Sequence, residues 1–143
     1  MAEFSPKRVD YEDAVRSLHE STPLAVYLGI MLESVRPGRV TVDLELQPHL
    51  LQQHGYAHAG LLATLADVTC GLAAYSLMDK GEEVLSVNMN VSLMRPAQSR
   101  RLRACGWVVK ASRHIYFTEA EIRSVDGGES RLTTKASIVM TAK

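Results

Sequence analysis

The chain predicts an α+β fold in which one antiparallel sheet of about six strands covers a single long helix. Three observations carry this expectation. Residues 58–78, HAGLLATLADVTCGLAAYSLM, are apolar almost throughout and hold one formal charge, Asp67. Strand-like runs flank that stretch, two before it and four after it. Almost every link between the runs is too short for the crossovers that parallel neighbours require, so the sheet should be antiparallel.

The elements follow in order. Residues 1–23 form a mobile lead-in and a short helix, DYEDAVRSLHE, which Asp10 caps and which presents Val15 and Leu18 as its apolar contacts. Ser21-Thr22-Pro23 ends it, and residues 24–30 fit neither helix nor strand decisively. Residues 30–35 and 39–46 are two strands joined by Arg36-Pro37-Gly38. The second strand alternates, with Val40, Val42, Leu44 and Leu46 on a core face and Arg39, Thr41, Asp43 and Glu45 on a wet one. Pro48 breaks it. The loop HLLQQHGYAHAG then delivers the chain to the long helix, and Asp79-Lys80-Gly81 stops that helix. Four strands follow at 84–93, 102–110, 115–125 and 132–142, the last two joined by the hairpin signal Asp126-Gly127-Gly128.

The 143 residues suffice for one domain with a real core. Sixteen basic and sixteen acidic side chains leave no global field to draw in nucleic acid or a membrane surface. Cys70 and Cys105 lie in apolar patterns without CxxC spacing, which reads as two reduced, buried thiols. The opening MAEFSPKRVD lacks the apolar core of a signal peptide, so a cytoplasmic location is the default expectation.

The long helix poses the chemical question. Leu61, Leu65, Val68, Leu72 and Tyr75 fall on one stripe, expected to face the sheet, while Ala63, Thr64, Asp67, Cys70, Gly71 and Ala74 form a small-residue stripe that another backbone or a ligand could approach. A carboxylate in so apolar a helix must be hydrogen-bonded, neutralised or used. A membrane span fits the length, but a charge at mid-bilayer is expensive. Satisfaction by a core hydroxyl or amide is the bland alternative; a functional carboxylate is the favoured one.

Residues 51–74, LQQHGYAHAGLLATLADVTCGLAA, resemble the signature of hotdog-fold acyl-CoA thioesterases of the phenylacetate-degradation type. The family pattern is Asn, Gly, His-Gly-Gly, an apolar run, then Leu-Ala-Asp followed by small residues. Ser86-Val87-Asn88-Met89-Asn90-Val91 and Arg95-Pro96-Ala97 resemble its next block. Three positions depart from the pattern: Gln52 stands for Asn, Ala59 for the first Gly after His58, and a Gly often seen after Arg-Pro-Ala is replaced near Ser99-Arg100. The resemblance implies a hotdog, a sheet wrapped around a central helix, paired with a second copy into a double hotdog and often into tetramers.

Thioester hydrolysis needs an activated water or a carboxylate nucleophile, and donors for the oxyanion that forms on the carbonyl. Asp67 supplies the first. The free N–H groups at the helix start, near Ala59 and Gly60, supply the second. Eight residues at about 1.5 Å each separate Ala59 from Asp67 by about 12 Å, whereas the reacting carbon must lie about 3 Å from both. One chain cannot do both jobs, and two such helices lying antiparallel across a dimer can. The resemblance assigns Asp67 as general base or nucleophile, the Ala59 N–H of the other subunit as oxyanion donor, His58 and Gln52 as aids to thioester binding, and Ser86 as the holder of the attacking water.

Substrate contacts are further expected at Gly60, Thr64, Asn88, Arg95, Pro96, Lys110, Ser112 and Arg113, with Arg95 and Arg113 foremost for the coenzyme A phosphates. Coenzyme A is then part of the substrate, and no separate cofactor is implied. His49, His54 and His58 have no metal-ligand spacing, and there is no GxSxG elbow, phosphate loop or nucleic-acid motif. The rival readings are a non-catalytic acyl-CoA-binding hotdog acting as sensor or carrier, with Ala59 as a sign of lost activity, and a hotdog hydratase or dehydratase.

Overall fold

The computed structural model describes residues 3–143. Met1 and Ala2, the first residues of the expected mobile lead-in, lie outside the described residues. The rest of that segment is not loose, because the Phe4 ring packs on the core beside Gly38 and Leu77. Helix α1 (Tyr11–Glu20) follows, with Asp10 at its N-cap position. Its carboxylate does not cap the helix; both oxygens instead accept from the Arg8 guanidinium at 2.7 Å. The undecided segment is a single helical turn and a half, α2 (Pro23–Leu28), closed by Gly29 at φ 77°, a left-handed conformation suited to glycine.

The sheet comprises β1 (Met31–Arg36), β2 (Arg39–Glu45), β3 (Val84–Leu93), β4 (Arg101–Ala111), β5 (Ile115–Asp126) and β6 (Glu129–Ala142). Its order is β1-β2-β4-β5-β6-β3, with every neighbouring pair antiparallel. A short 3-10 turn (Pro48–Leu50) and a loop lead from β2 into α3 (Ala59–Tyr75), which lies across the sheet's concave face. The expected α+β architecture of one sheet around one long helix is the one observed.

Val40, Val42 and Leu44 are buried on the core face of β2, as the alternation requires. Asp43, on the supposedly wet face, is buried too, because Arg103 on the paired strand covers it with two hydrogen bonds of 2.7 Å and Arg101 approaches to 3.8 Å. Cys105 sits on that same outer face and is only half-buried, contrary to the expectation of two buried thiols. Cys70 is fully buried, and burial pushes its thiol up to about 12, so it is inert as a nucleophile.

The two stripes of α3 are those expected at Leu61, Leu65 and Leu72 and at Ala63, Thr64, Asp67 and Gly71, but Val68 and Tyr75 exchange sides with Cys70 and Ala74. Leu61, Leu62, Leu65, Ala66, Thr69, Cys70, Leu72, Ala73 and Ala74 are buried, whereas Val68 and Tyr75 join Ala63, Thr64, Asp67 and Gly71 on the partly open side. Close packing explains the exchange. A Cβ placed on Gly106 of β4 would lie 2.8 Å from the Thr69 carbonyl carbon and 2.9 Å from the Cys70 nitrogen, both backbone atoms. Small residues therefore also line the covered side, at Ala66, Thr69, Cys70, Ala73 and Ala74, and the backbone approach expected on the open side occurs on the covered one.

This contact predicts the effect of one methyl group. Gly106→Ala forces α3 off the sheet and should cost about 3 kcal/mol of stability, read as a lower urea midpoint. An unchanged midpoint would show that the helix is not seated on Gly106.

Candidate active site

The loop before α3 is tied down by its own polar groups. Gln52 N–H donates to Tyr56 O at 2.8 Å, Gly55 N–H donates to Gln52 O at 3.0 Å, and Ala57 N–H donates to Ala97 O at 2.8 Å. The Gln52 side-chain oxygen accepts from His54 N–H at 2.5 Å and from Tyr56 N–H at 3.3 Å. Only its NH2 group is left for a ligand.

His58 is the N-cap of α3, with φ −64° and ψ 139°. Its Nδ1 accepts from Gly60 N–H at 2.9 Å, so in the neutral ring Nε2 carries the hydrogen. A Cβ at Gly60 would meet that Nδ1 at 3.1 Å, which is why the position suits glycine. Ala59 is the first helical residue and is exposed, and its N–H belongs to the opening turn that has no carbonyl behind it. Gln52, Tyr56, His58, Ala59, Leu62 and Arg95 line a cleft of about 390 Å³ together with Pro96 and its neighbours. Arg95 is held there by donating from Nη1 to Leu132 O at 2.8 Å.

Asp67 lies two turns along α3, facing β3. Ser86 Oγ donates to Asp67 Oδ1 at 2.5 Å and rests 3.2 Å from Met140 Sδ. The carboxylate is half-exposed in a different, smaller cleft of about 150 Å³, whose walls include Val68, Gly71, Val84 and His19. One chain thus separates the carboxylate from the helix-start donors, as the count of residues between them requires.

The other expected contacts scatter. Thr64 Oγ1 donates back to Gly60 O at 2.8 Å and is not a partner of Asp67. Asn88 is two residues from Ser86, yet it pairs with outward-facing Val139 while Ser86 pairs with buried Met140. A bulge at Val87 breaks the alternation and turns Asn88 to the outer face. A second bulge, between Val108 and Lys110, puts Lys110 opposite exposed Phe117 on that outer face. Ser112 and Arg113 occupy the β4–β5 turn, where Ser112 N–H donates to Ile115 O at 2.8 Å, and they line neither cleft. Among the described residues, no three His, Cys, Asp or Glu side chains group closely enough to hold a metal ion, and no helix is long and apolar enough to cross a membrane.

Among the lining residues not foreseen from the sequence are Tyr56 and His19. Tyr56 carried no signal beyond its place in the loop. His19 did: it lies four residues after the buried Val15 on α1, and so on the covered side of that helix.

Known proteins share this fold. Residues 54–131 match the model of the thioesterase superfamily. A thioesterase family protein from Silicibacter pomeroyi superposes with a TM-score of 0.90 at 32% identity, over 92% of this chain and 97% of that one. Human acyl-coenzyme A thioesterase 13 is 28% identical over 82% of this chain and 84% of its own length. The proofreading thioesterase EntH of Klebsiella pneumoniae is 26% identical over 63% of this chain and 65% of its own. Matched over more than half its length by the family model and over nearly all of it by a solved relative, the chain belongs to the thioesterase superfamily, with the hotdog architecture of its structural neighbours.

Proposed function

We propose that the protein hydrolyses acyl-CoA thioesters to the free acid and coenzyme A, at sites that each combine Asp67 of one subunit with the α3 start of another. The Asp67–Ser86 hydrogen bond is the observation that carries this reading. Ser86 occupies one carboxylate oxygen and fixes the side chain's orientation, which leaves Oδ2 to take a proton from water. The hydroxide equivalent adds to the thioester carbon, and the oxyanion meets the Ala59 N–H of a second copy. Collapse of the tetrahedral intermediate expels the thiolate of coenzyme A, which recovers the proton held by Asp67. His58 Nε2–H and the Gln52 NH2 group, both on the Ala59 side, are donors suited to holding the thioester end.

The sheet offers a place for the second copy. Strand β3 is an edge, and Leu85, Val87, Met89 and Leu93 along it are exposed. A long apolar edge of this kind is a template for pairing with another chain. Pairing of two β3 strands antiparallel sets the two α3 helices side by side in opposite directions, so that each helix start comes level with the other's middle. Arg95, at the mouth of the Ala59 cleft, is then the best-placed cation for a coenzyme A phosphate. Lys110, Ser112 and Arg113 are less suited, since they lie outside both clefts.

Release of free thiol from short, medium, long-chain and aromatic acyl-CoAs tests the activity. Asp67→Asn keeps the shape and removes the base, and should lower kcat by about 10³-fold; undiminished turnover would refute the assignment. Tight acyl-CoA binding without turnover in the unaltered protein would instead favour the sensor or carrier reading.

Ala59→Pro tests the oxyanion donor by itself. Proline is well tolerated at the first helical position, and His58 already has the extended conformation that a residue before proline needs. The substitution deletes one N–H from an intact helix and should cost about 10²- to 10³-fold in kcat with little change in KM. A loss confined to KM would contradict the role.

A further inference from the structure

We propose that Arg131, near the start of β6, holds the phosphates of coenzyme A beside Arg95, so that the coenzyme A arm leaves along the α3-start side of one subunit while the acyl group lies toward Asp67 of the other. The inference rests on the thioesterase reading above and adds to it a binding residue and a direction for the substrate.

The register of the sheet puts Arg131 on the side where the chemistry is. It pairs with Ser124 of β5, and Ser124 pairs with the buried Leu102 of β4, so the three share the face that α3 covers. The helix leaves this end of the face open. Arg131 is exposed there and lines a cleft of about 420 Å³ with Tyr56, Arg95, Pro96 and Gln98. Tyr56, Arg95 and Pro96 also line the Ala59 cleft, so the two clefts adjoin along these three residues.

The linings change in character from one cleft to the next. Beside the helix start Leu62, Leu93 and Met94 present an apolar wall; past Arg95 the chain adds the guanidinium of Arg131 and the exposed amide of Gln98. Thioester donors, an uncharged stretch and then cations follow the order of acyl-CoA itself: thioester, pantetheine, phosphates. The Asp67 cleft has no Lys or Arg in its walls and holds a carboxylate, which repels phosphate and leaves that cleft to the acyl group.

The two cations are held close together. Arg95 N–H donates to Thr133 O at 3.2 Å and its Nη1 to Leu132 O at 2.8 Å, which ties it to the two residues that follow Arg131 along β6. Asp126 lines the same cleft, and its Oδ1 accepts from Arg100 N–H at 3.2 Å. Among the described residues no carboxylate pairs with Arg131. Its planar fork is thus left to take a phosphate bidentately.

The test presents one acyl group, the one released fastest in the panel above, on coenzyme A and on pantetheine, which keeps the arm and lacks the phosphates. In the unaltered protein kcat/KM should favour the coenzyme A ester by about 10-fold or more. Arg131→Gln should lower that preference by about 10-fold through KM for the coenzyme A ester, and Arg131→Lys, which keeps the charge and loses the fork, should recover part of it. A preference unchanged in Arg131→Gln, or a loss shared equally by both esters, would overturn the assignment of Arg131 and leave the thioesterase reading intact. If the pantetheine ester turns over too slowly to measure, KM for the coenzyme A ester decides: a value that Arg131→Gln does not raise, or that Arg131→Lys does not bring back down, overturns the assignment. No thiol release from either ester would overturn the thioesterase reading and this one with it.

Discussion

The contact of α3 with the glycine of β4 sets the geometry on which the rest depends. Where the Gly106 backbone meets Thr69 and Cys70, no side chain intervenes, and the helix sinks to the depth at which Asp67 reaches Ser86 on β3. A helix held further out would carry its one charge away from the hydroxyl that orients it. The carboxylate is therefore positioned by packing first and by a hydrogen bond second. The small residues on the covered side of α3 serve the fold, and they place the carboxylate by doing so.

The same helix imposes the separation from which the functional proposal grows. Its opening turn carries unsatisfied donors and its middle carries the carboxylate, and a rigid α-helix cannot bring the two together. Each lies in its own cleft, one with Gln52, His58 and Arg95, the other with Ser86 and His19. Each cleft holds half of what thioester hydrolysis asks for. The exposed apolar edge at β3 and the partly open, small-residue side of α3 are the surfaces on which a second copy would complete both. Membership of the thioesterase superfamily fits the chemistry; the sharing of the site is our reading of its geometry.

Most of the fold was legible because hydrophobic periodicity and turn chemistry agree along the chain. All six strands fall within a few residues of their expected places, and the Gly127-Gly128 loop joins β5 to β6 where the hairpin signal stood. Asp67 was legible because one charge in an apolar run has few explanations, and His58 and Gln52 because they adjoin a helix start. Most of the losses share a cause: they depend on contacts distant in sequence. Bulk marks the covered side of α3 at Leu61, Leu65 and Leu72 but not at Cys70 and Ala74, because a glycine on another strand admits small residues there. Asn88 was expected to contact substrate, and the bulge that turns it to the outer face leaves no plain mark in the sequence. The Asp10 cap was displaced by Arg8, a competitor two residues away, and Asp43 was placed on a wet face that Arg103 covers. His19 reaches the Asp67 cleft only through the packing of α1 beside α3.

The shared site is tested most directly by mixing two inactive chains. When Asp67→Asn and Ala59→Pro subunits are co-expressed and assemble at random, half of the dimers are mixed, and each of these holds one site with both groups intact. The account predicts that thioesterase activity returns to about a quarter of the wild-type level. Activity that stays at the level of the separate variants would show that carboxylate and donor act within one chain, and would contradict it.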